Sequence, residues 1–169
     1  SNGTVTIDGA GSSIQVAVPS SIGQIGTGSL QITGGGKFIS TFGIANQSAV
    51  SIGTAGAANG AVTVAGVGSQ FSAKGIVLLS VDPGAAGALT ITGGGLVDAV
   101  ALQTAFSRRT SANVLVSGAG STLHLSSFSN QQTFMYIGRL GTAQLDVTAG
   151  GKILMDPTAA NVSLTSFNV

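Results

Sequence analysis

The residue types that do chemistry are scarce in this 169-residue chain: one histidine (His124), five acids (Asp8, Asp82, Asp98, Asp146 and Asp156), no glutamate and no cysteine. Without thiols there is neither a disulfide framework nor a thiolate metal site. A nucleophilic serine would need the G-x-S-x-G turn that lifts its hydroxyl toward a histidine base, and the chain has no such motif. His124 follows the apolar Leu123 and so alternates outward, as a solvent-facing side chain. Cleaving a polysaccharide needs carboxylates or cations clustered within a few ångströms. The five aspartates stand singly, and even Asp8 and Asp146, which share an outward position, belong to distant parts of the chain. Calcium-binding glycine-rich repeats carry aspartates after their glycines, and no aspartate lies in a Gly-Gly corner here. These residues provide no catalytic group and no metal site.

Two kinds of glycine cluster invite a nucleotide reading. Gly9-Ala10-Gly11 and Gly66-Val67-Gly68 echo the start of a dinucleotide fingerprint, but the third glycine is missing and no helix follows. Gly34-Gly35-Gly36-Lys37 and Gly150-Gly151-Lys152 resemble phosphate loops only loosely, since neither lysine precedes a serine or threonine. No cofactor is expected. The densest charge is Arg108-Arg109, between predicted strands, and this pair is the candidate contact loop. A formal net charge of +1 excludes nucleic acid as a partner, because phosphate binding needs many clustered cations.

The glycines are better read as the punctuation of a repeat. Val5-Thr6-Ile7-Asp8-Gly9-Ala10-Gly11-Ser12 returns as Val62-Thr63-Val64-Ala65-Gly66-Val67-Gly68-Ser69 and as Val114-Leu115-Val116-Ser117-Gly118-Ala119-Gly120-Ser121. Between these A units lie B units: Leu30-Gln31-Ile32-Thr33-Gly34-Gly35-Gly36, Leu89-Thr90-Ile91-Thr92-Gly93-Gly94-Gly95 and Leu145-Asp146-Val147-Thr148-Ala149-Gly150-Gly151. The order is A-B-A-B-A-B, with starts at 5, 30, 62, 89, 114 and 145. Such a period is the signature of a solenoid. The units run over about 3–26, 28–58, 60–85, 87–112, 113–140 and 141–169, within one segment spanning 1–169.

Each unit opens with β-branched or apolar residues two apart, which predicts a strand with one buried face. After the glycine corner another apolar residue (Ile14, Phe38, Phe71, Val97, Leu123 or Ile153) turns back inside. Later strands end in Ile22-Gly23, Ile52-Gly53 and Ile137-Gly138, with Val77, Leu79 and Val81 filling the same stretch of the third unit. A short helix competes only over Asp98–Phe106. One unit cannot bury its apolar face alone, and stacking solves this. Val5, Leu30, Val62, Leu89, Val114 and Leu145 then form one ladder, and Ile7, Ile32, Val64, Ile91, Val116 and Val147 another. At about 4.8 Å per rung, six rungs make a rod roughly 30 Å long. With 27 glycines and 7% charged residues, the composition suits in-register stacking, where like charges would repel. The predicted fold is all-β, a right-handed parallel β-helix (β-solenoid) of about six rungs.

The patterns V-x-V-x-G-x-G-S and L-x-I-T-G-G-G, which cover residues from about 3 to 155, resemble the repeats of autotransporter passenger domains. Similar repeats occur in surface proteins that carry a PEP-CTERM sorting signal. The resemblance implies a non-enzymatic, extracellular stalk or adhesin segment at a bacterial cell surface, secreted by the type V route. It implies as partners a host-cell surface, a glycan or another bacterial surface. The segment itself does not insert in a membrane, since its longest aliphatic run, Ile76–Leu79, is far shorter than the roughly 20 residues of a spanning helix. No signal-peptide pattern opens the chain and no membrane barrel closes it, so the expectation is a monomeric slice of a longer passenger. The alternative is a carbohydrate-binding or carbohydrate-active β-helix whose active residues lie outside this fragment.

Overall fold

Period-two alternation broken by glycine corners is realised as strands β1–β16 in a computed structural model that describes residues 1–129, 131–156 and 161–164. Of the predicted sixth unit, 157–160 and 165–169 lie outside the described residues. Each rung crosses three faces. On the first, β1 (Asn2–Asp8), β4 (Thr27–Thr33), β7 (Asn59–Ala65), β9 (Ala86–Thr92), β11 (Ser111–Ser117) and β14 (Thr142–Thr148) pair in that order, all parallel. The second face holds β2 (Ser13–Val16), β5 (Lys37–Ser40), the start of β8 (Gln70–Leu79), the start of β10 (Leu96–Thr104), β12 (Thr122–Leu125) and β15 (Lys152–Met155). The third holds β3 (Ser20–Ile22), β6 (Ser48–Ile52), the ends of β8 and β10, β13 (Phe134–Ile137) and β16 (Asn161–Leu164). The result is a parallel β-solenoid of six rungs.

Both expected ladders form in register. Val5 pairs with Leu30, then Val62, Leu89, Val114 and Leu145, while Ile7 leads through Ile32, Val64, Ile91 and Val116 to Val147. On the second face, Ile14, Phe38, Phe71, Val97, Leu123 and Ile153 form the opposing column. The middle members Ile32, Val64, Phe71, Ile91, Val116 and Leu123 are completely buried. Each such aliphatic side chain contributes about 1.5–3 kcal/mol relative to exposure. Among the terminal members Val5 is 46% exposed and Val147 44%, whereas Ile7 stays buried.

The corners explain the two glycine spellings. In the A corner of the third rung Gly66 and Gly68 hold φ of 92° and 82°, and in the B corner of the fourth Gly93 and Gly94 hold 59° and 90°. These left-handed values are nearly free of steric cost only without a Cβ. Ala149 occupies the position of Gly93 in the last rung, with φ of 51°.

Asp98–Phe106, where a helix competes on propensity, lies mostly within strand β10 instead. Strand β8 on one side and β12 and β13 on the other supply in-register partners for nearly all of it, with a register shift between Ala99 and Ala101. Paired edges on both sides outweigh a local preference that spans only about two and a half turns. In the third and fourth rungs this continuous strand turns the corner between the second and third faces tightly. The second and fifth rungs instead bulge there, at 41–47 and, among the described residues, at 126–129 and 131–132. The later bulge reaches back across the tight rungs. Gln131 Nε2 donates to the carbonyls of Gly43 (3.1 Å) and Lys74 (3.4 Å), and Lys74 Nζ sits 4.7 Å over the Phe128 ring.

Candidate functional site

The outer side of the second face is set by the same alternation that buries its inner side. Val97 and Leu123 point inward, so the residues after them, Asp98 on β10 and His124 on β12, point outward and pair directly across adjacent rungs. His124 Nδ1 lies 3.0 Å from Asp98 Oδ1, and its Nε2 lies 3.2 Å from Oδ1 of Asp156, just past β15. Ser126 donates its hydroxyl to the same Asp98 oxygen at 3.1 Å. The expectation of singly dispersed acids is therefore corrected here: stacking brings two of the five aspartates onto the one histidine. His124 does point outward as expected, but its side chain is only one-third exposed, since both its neighbours lean on it.

This arrangement holds an imidazole between two carboxylates. A neutral imidazole has a single N–H and donates to only one of them, whereas the imidazolium donates to both. Ser126 spends its hydroxyl on Asp98 rather than on His124, so the histidine is not paired with a nucleophile. With both ring nitrogens facing carboxylates, the cluster is also not arranged as a metal cage, and no group of three or more ligating side chains with metal-site geometry occurs among the described residues.

Beside the cluster runs a shallow groove of about 500 Å³ across the rungs. Its floor is the outward column Lys37, Gln70, Leu96 and Thr122, aligned by strand pairing, with His124 and Leu154 along one side. Lys37 at one end, Gln70 and Thr122 along the floor and His124 at the side give it polar groups, interrupted by the apolar Leu96 and Leu154.

The predicted contact loop lies elsewhere, at the corner between the third and first faces. Arg108 and Arg109 are exposed at the tip of the turn between β10 and β11. Thr110 Oγ1 donates to the Ser107 carbonyl at 2.5 Å and closes that turn, while Arg109 takes a φ of 60°. On the next rung, at the same corner, Arg139 lays its guanidinium 4.6 Å over the Phe106 ring and bonds Gln103 Oε1 at 3.3 Å. Three of the six cations thus occupy neighbouring turns. The sequence reading missed Arg139 because it falls in the non-repeating stretch after Ile137-Gly138.

Set against protein-family models, curated proteins and solved structures, the chain has no match. Function is therefore argued from this chain's own geometry. Asp8 and Asp146 occupy the two edge strands of the first face, where each meets a polar neighbour rather than the other acid. Asp8 accepts from Thr33 Oγ1 at 2.6 Å and Asp146 from Gln144 Nε2 at 2.8 Å. The glycine clusters with a nucleotide look are the corners themselves, and their N–H groups serve the stack: Gly35 N donates to Ser69 Oγ and Gly94 N to Ser121 Oγ, each at 3.1 Å.

Proposed function

We propose that this chain is a non-enzymatic stalk or adhesin segment of an extracellular bacterial surface protein, of the autotransporter-passenger or PEP-CTERM-associated kind, working through length, rigidity and a repeated outer surface. The observation that supports this reading is the unbroken register of six rungs on the first face. Every outward position of that face becomes one step of a column at about 4.8 Å spacing, which suits extended, repetitive partners such as a glycan or another cell's surface. The Arg108, Arg109 and Arg139 turns supply a cationic corner for an acidic partner.

One observation favours the second reading, a carbohydrate-binding β-helix: the groove beside the Asp98–His124–Asp156 cluster is open, crosses several rungs and carries Lys37, Gln70, Thr122 and His124 beside the apolar Leu96 and Leu154. A glycan array combined with a depolymerisation assay on acidic polysaccharides separates the readings. Binding to cells or glycans without product release supports the adhesin. Chain cleavage by the purified protein would overturn it. Arg108→Glu with Arg109→Glu, tested beside His124→Gln, shows whether the corner or the groove carries any binding found.

A further inference from the structure

We infer that the outer side of the third face, where it meets the cationic corner, binds a carboxylate-bearing sugar. The ring of Tyr136 takes the C–H face of the sugar and the guanidinium of Arg139 takes its carboxylate. This deepens the adhesin reading and rests on its cationic corner, naming the acidic partner as a glycan of the uronic-acid type.

On the first two rungs the outward column of the third face is small and polar, Ser21 and then Ser51. The same column continues as Leu78, Gln103 and Tyr136. The core does not require this change, because the inward residues of these strands, Val77, Leu102 and Met135, already belong to it. Phe134 stands beside Tyr136 on the outside, with ring centroids 4.9 Å apart, and both rings are half-buried. A braced aromatic pair on the outside of a sheet offers a firm apolar platform, and the phenol adds a polar tip. Stacked sugars need such a platform.

Gln103 joins this platform to the cations. It lies opposite Tyr136 in register, points outward, and is only 7% exposed. Its Oε1 accepts from Arg139 Nη1, while its Nε2 donates to no group among the described residues. A fixed amide with idle N–H groups is placed to meet a sugar oxygen. Arg139 is held on two sides, by Gln103 and by the Phe106 ring beneath its guanidinium. The rest of its planar donor fork is free for an acceptor, and a planar carboxylate matches two parallel N–H groups in that plane. Charge favours the same ligand. Arg108, Arg109 and Arg139 form no ion pair with an acid among the described residues. Their two turns are neighbours, since Thr142 N donates to the Thr110 carbonyl at 3.0 Å. The acid at this corner is Asp82, in the turn one rung before Arg109, so three cations face one carboxylate. Arg108 and Arg109 then supply charge for a glycan that continues across the rungs.

Tyr136 is the single tyrosine and the chain has no tryptophan, so tyrosine emission reports on the site directly. The 169-residue chain is titrated with a galacturonic acid tetramer, with uncharged cellotetraose, and with a sulfated dextran oligomer that lacks carboxylates. Only the galacturonate should change the emission and give heat in calorimetry. Arg139→Gln, Arg139→Lys and Tyr136→Ala should each weaken its calorimetric binding by about tenfold or more. The lysine keeps the charge and loses the planar fork. Lys152→Gln removes the same charge from the second face and should leave binding unchanged. Absence of galacturonate binding, equal binding of the neutral or sulfated oligomer, or variants that bind like the parent would each overturn the site. If Tyr136→Ala loses its β-sheet circular dichroism, Gln103→Leu removes the amide while keeping its bulk. It should weaken binding by a similar factor, and unchanged binding overturns the site equally. The adhesin reading fails separately, by loss of attachment to cells and to the wider glycan array. A chain that attaches there but ignores galacturonate loses this site and keeps that reading.

Discussion

The ring of Phe71 stacks on that of Phe38 one rung away, with centroids 5.1 Å apart and planes 13° from parallel. They are consecutive members of the inward column of the second face, and Phe71 is completely buried. Aromatic pairs in such contact contribute about 0.5–1.5 kcal/mol beyond their area. Phe71→Ala loses the stack and leaves a cavity between two rungs that cannot close without breaking the ladder. The expected cost is about 3–5 kcal/mol in urea unfolding, with Phe71→Leu well below it. Equal costs for the two would mean that the site collapses and the rungs are not held at fixed spacing.

The alternation itself is tested one residue further along the stack. Ile91 is fully buried midway in its column, and its neighbour Thr92 points outward and is half-buried. Ile91→Asp places an unpaired charge in the core and should cost about 4 kcal/mol or more, whereas Thr92→Asp should cost about 1 kcal/mol or less. Thermal melts of the pair measure the difference directly.

These columns were legible because each residue type does one job: branched apolar residues two apart, then glycines where φ must be positive. The Asp98–His124 contact was equally accessible. Val97 and Leu123 occupy the same inward position of successive units, so the residues after them must meet on the outside. Tracking only the apolar columns hid it. Asp156 follows no repeat position that marks it as a neighbour of His124, and its contact arises from the path of the chain after β15. The sequence after Leu125 is non-periodic, so nothing in the pattern says that Gln131 bonds back to Gly43. At Asp98–Phe106 local preference was ambiguous, and the neighbouring strands decided it.

Ala149 is the one B-corner residue that departs from glycine at its position, and it takes a φ of 51° where Gly34 and Gly93 both take 59°. A left-handed conformation costs a residue with a Cβ roughly 1–2 kcal/mol. Ala149 is exposed, so its methyl contributes little packing in return. Ala149→Gly should therefore stabilise the chain by about 1 kcal/mol, raising Tm by about 2–4 °C. Gly93→Ala should lose a similar amount. A fall in Tm for Ala149→Gly would show that the last corner does not hold the left-handed conformation in solution.

The Asp98–His124–Asp156 cluster should matter little to stability. Its side chains are one-third or more exposed, and ion pairs in that setting are worth about 0–1 kcal/mol. His124→Gln is expected to shift urea unfolding by less than about 1 kcal/mol, with the difference from parent shrinking further in high salt. A loss of several kcal/mol would make the cluster a structural clamp and remove it from consideration as a binding site.

Modularity is the property on which a stalk depends, and the register says where the chain can be cut. Ser29, Ala61 and Ala88 occupy equivalent positions, as do Leu30, Val62 and Leu89. Deleting 30–88 joins Ser29 to Leu89 and stacks the first rung on the fourth, an A-to-B step like those already present. Four rungs remain, above the minimum of about three, and the rod shortens by roughly 10 Å. The variant should stay soluble and β-rich, though less stable, because Gln131 and Phe128 lose Gly43 and Lys74. Deleting 62–113 preserves register equally well through Ala61 and Val114, but it sets the bulged second and fifth rungs directly against each other. It should therefore melt lower than the 30–88 deletion. Deleting only 62–75 removes an A strand and its corner while leaving Ile76–Leu79 attached to half a rung, and that variant should aggregate through exposed edges. Circular dichroism and light scattering on the three variants check the order. If the half-rung deletion folds as well as the whole-pair deletions, rungs are not the unit of stability and a spacer built by adding them loses its physical basis.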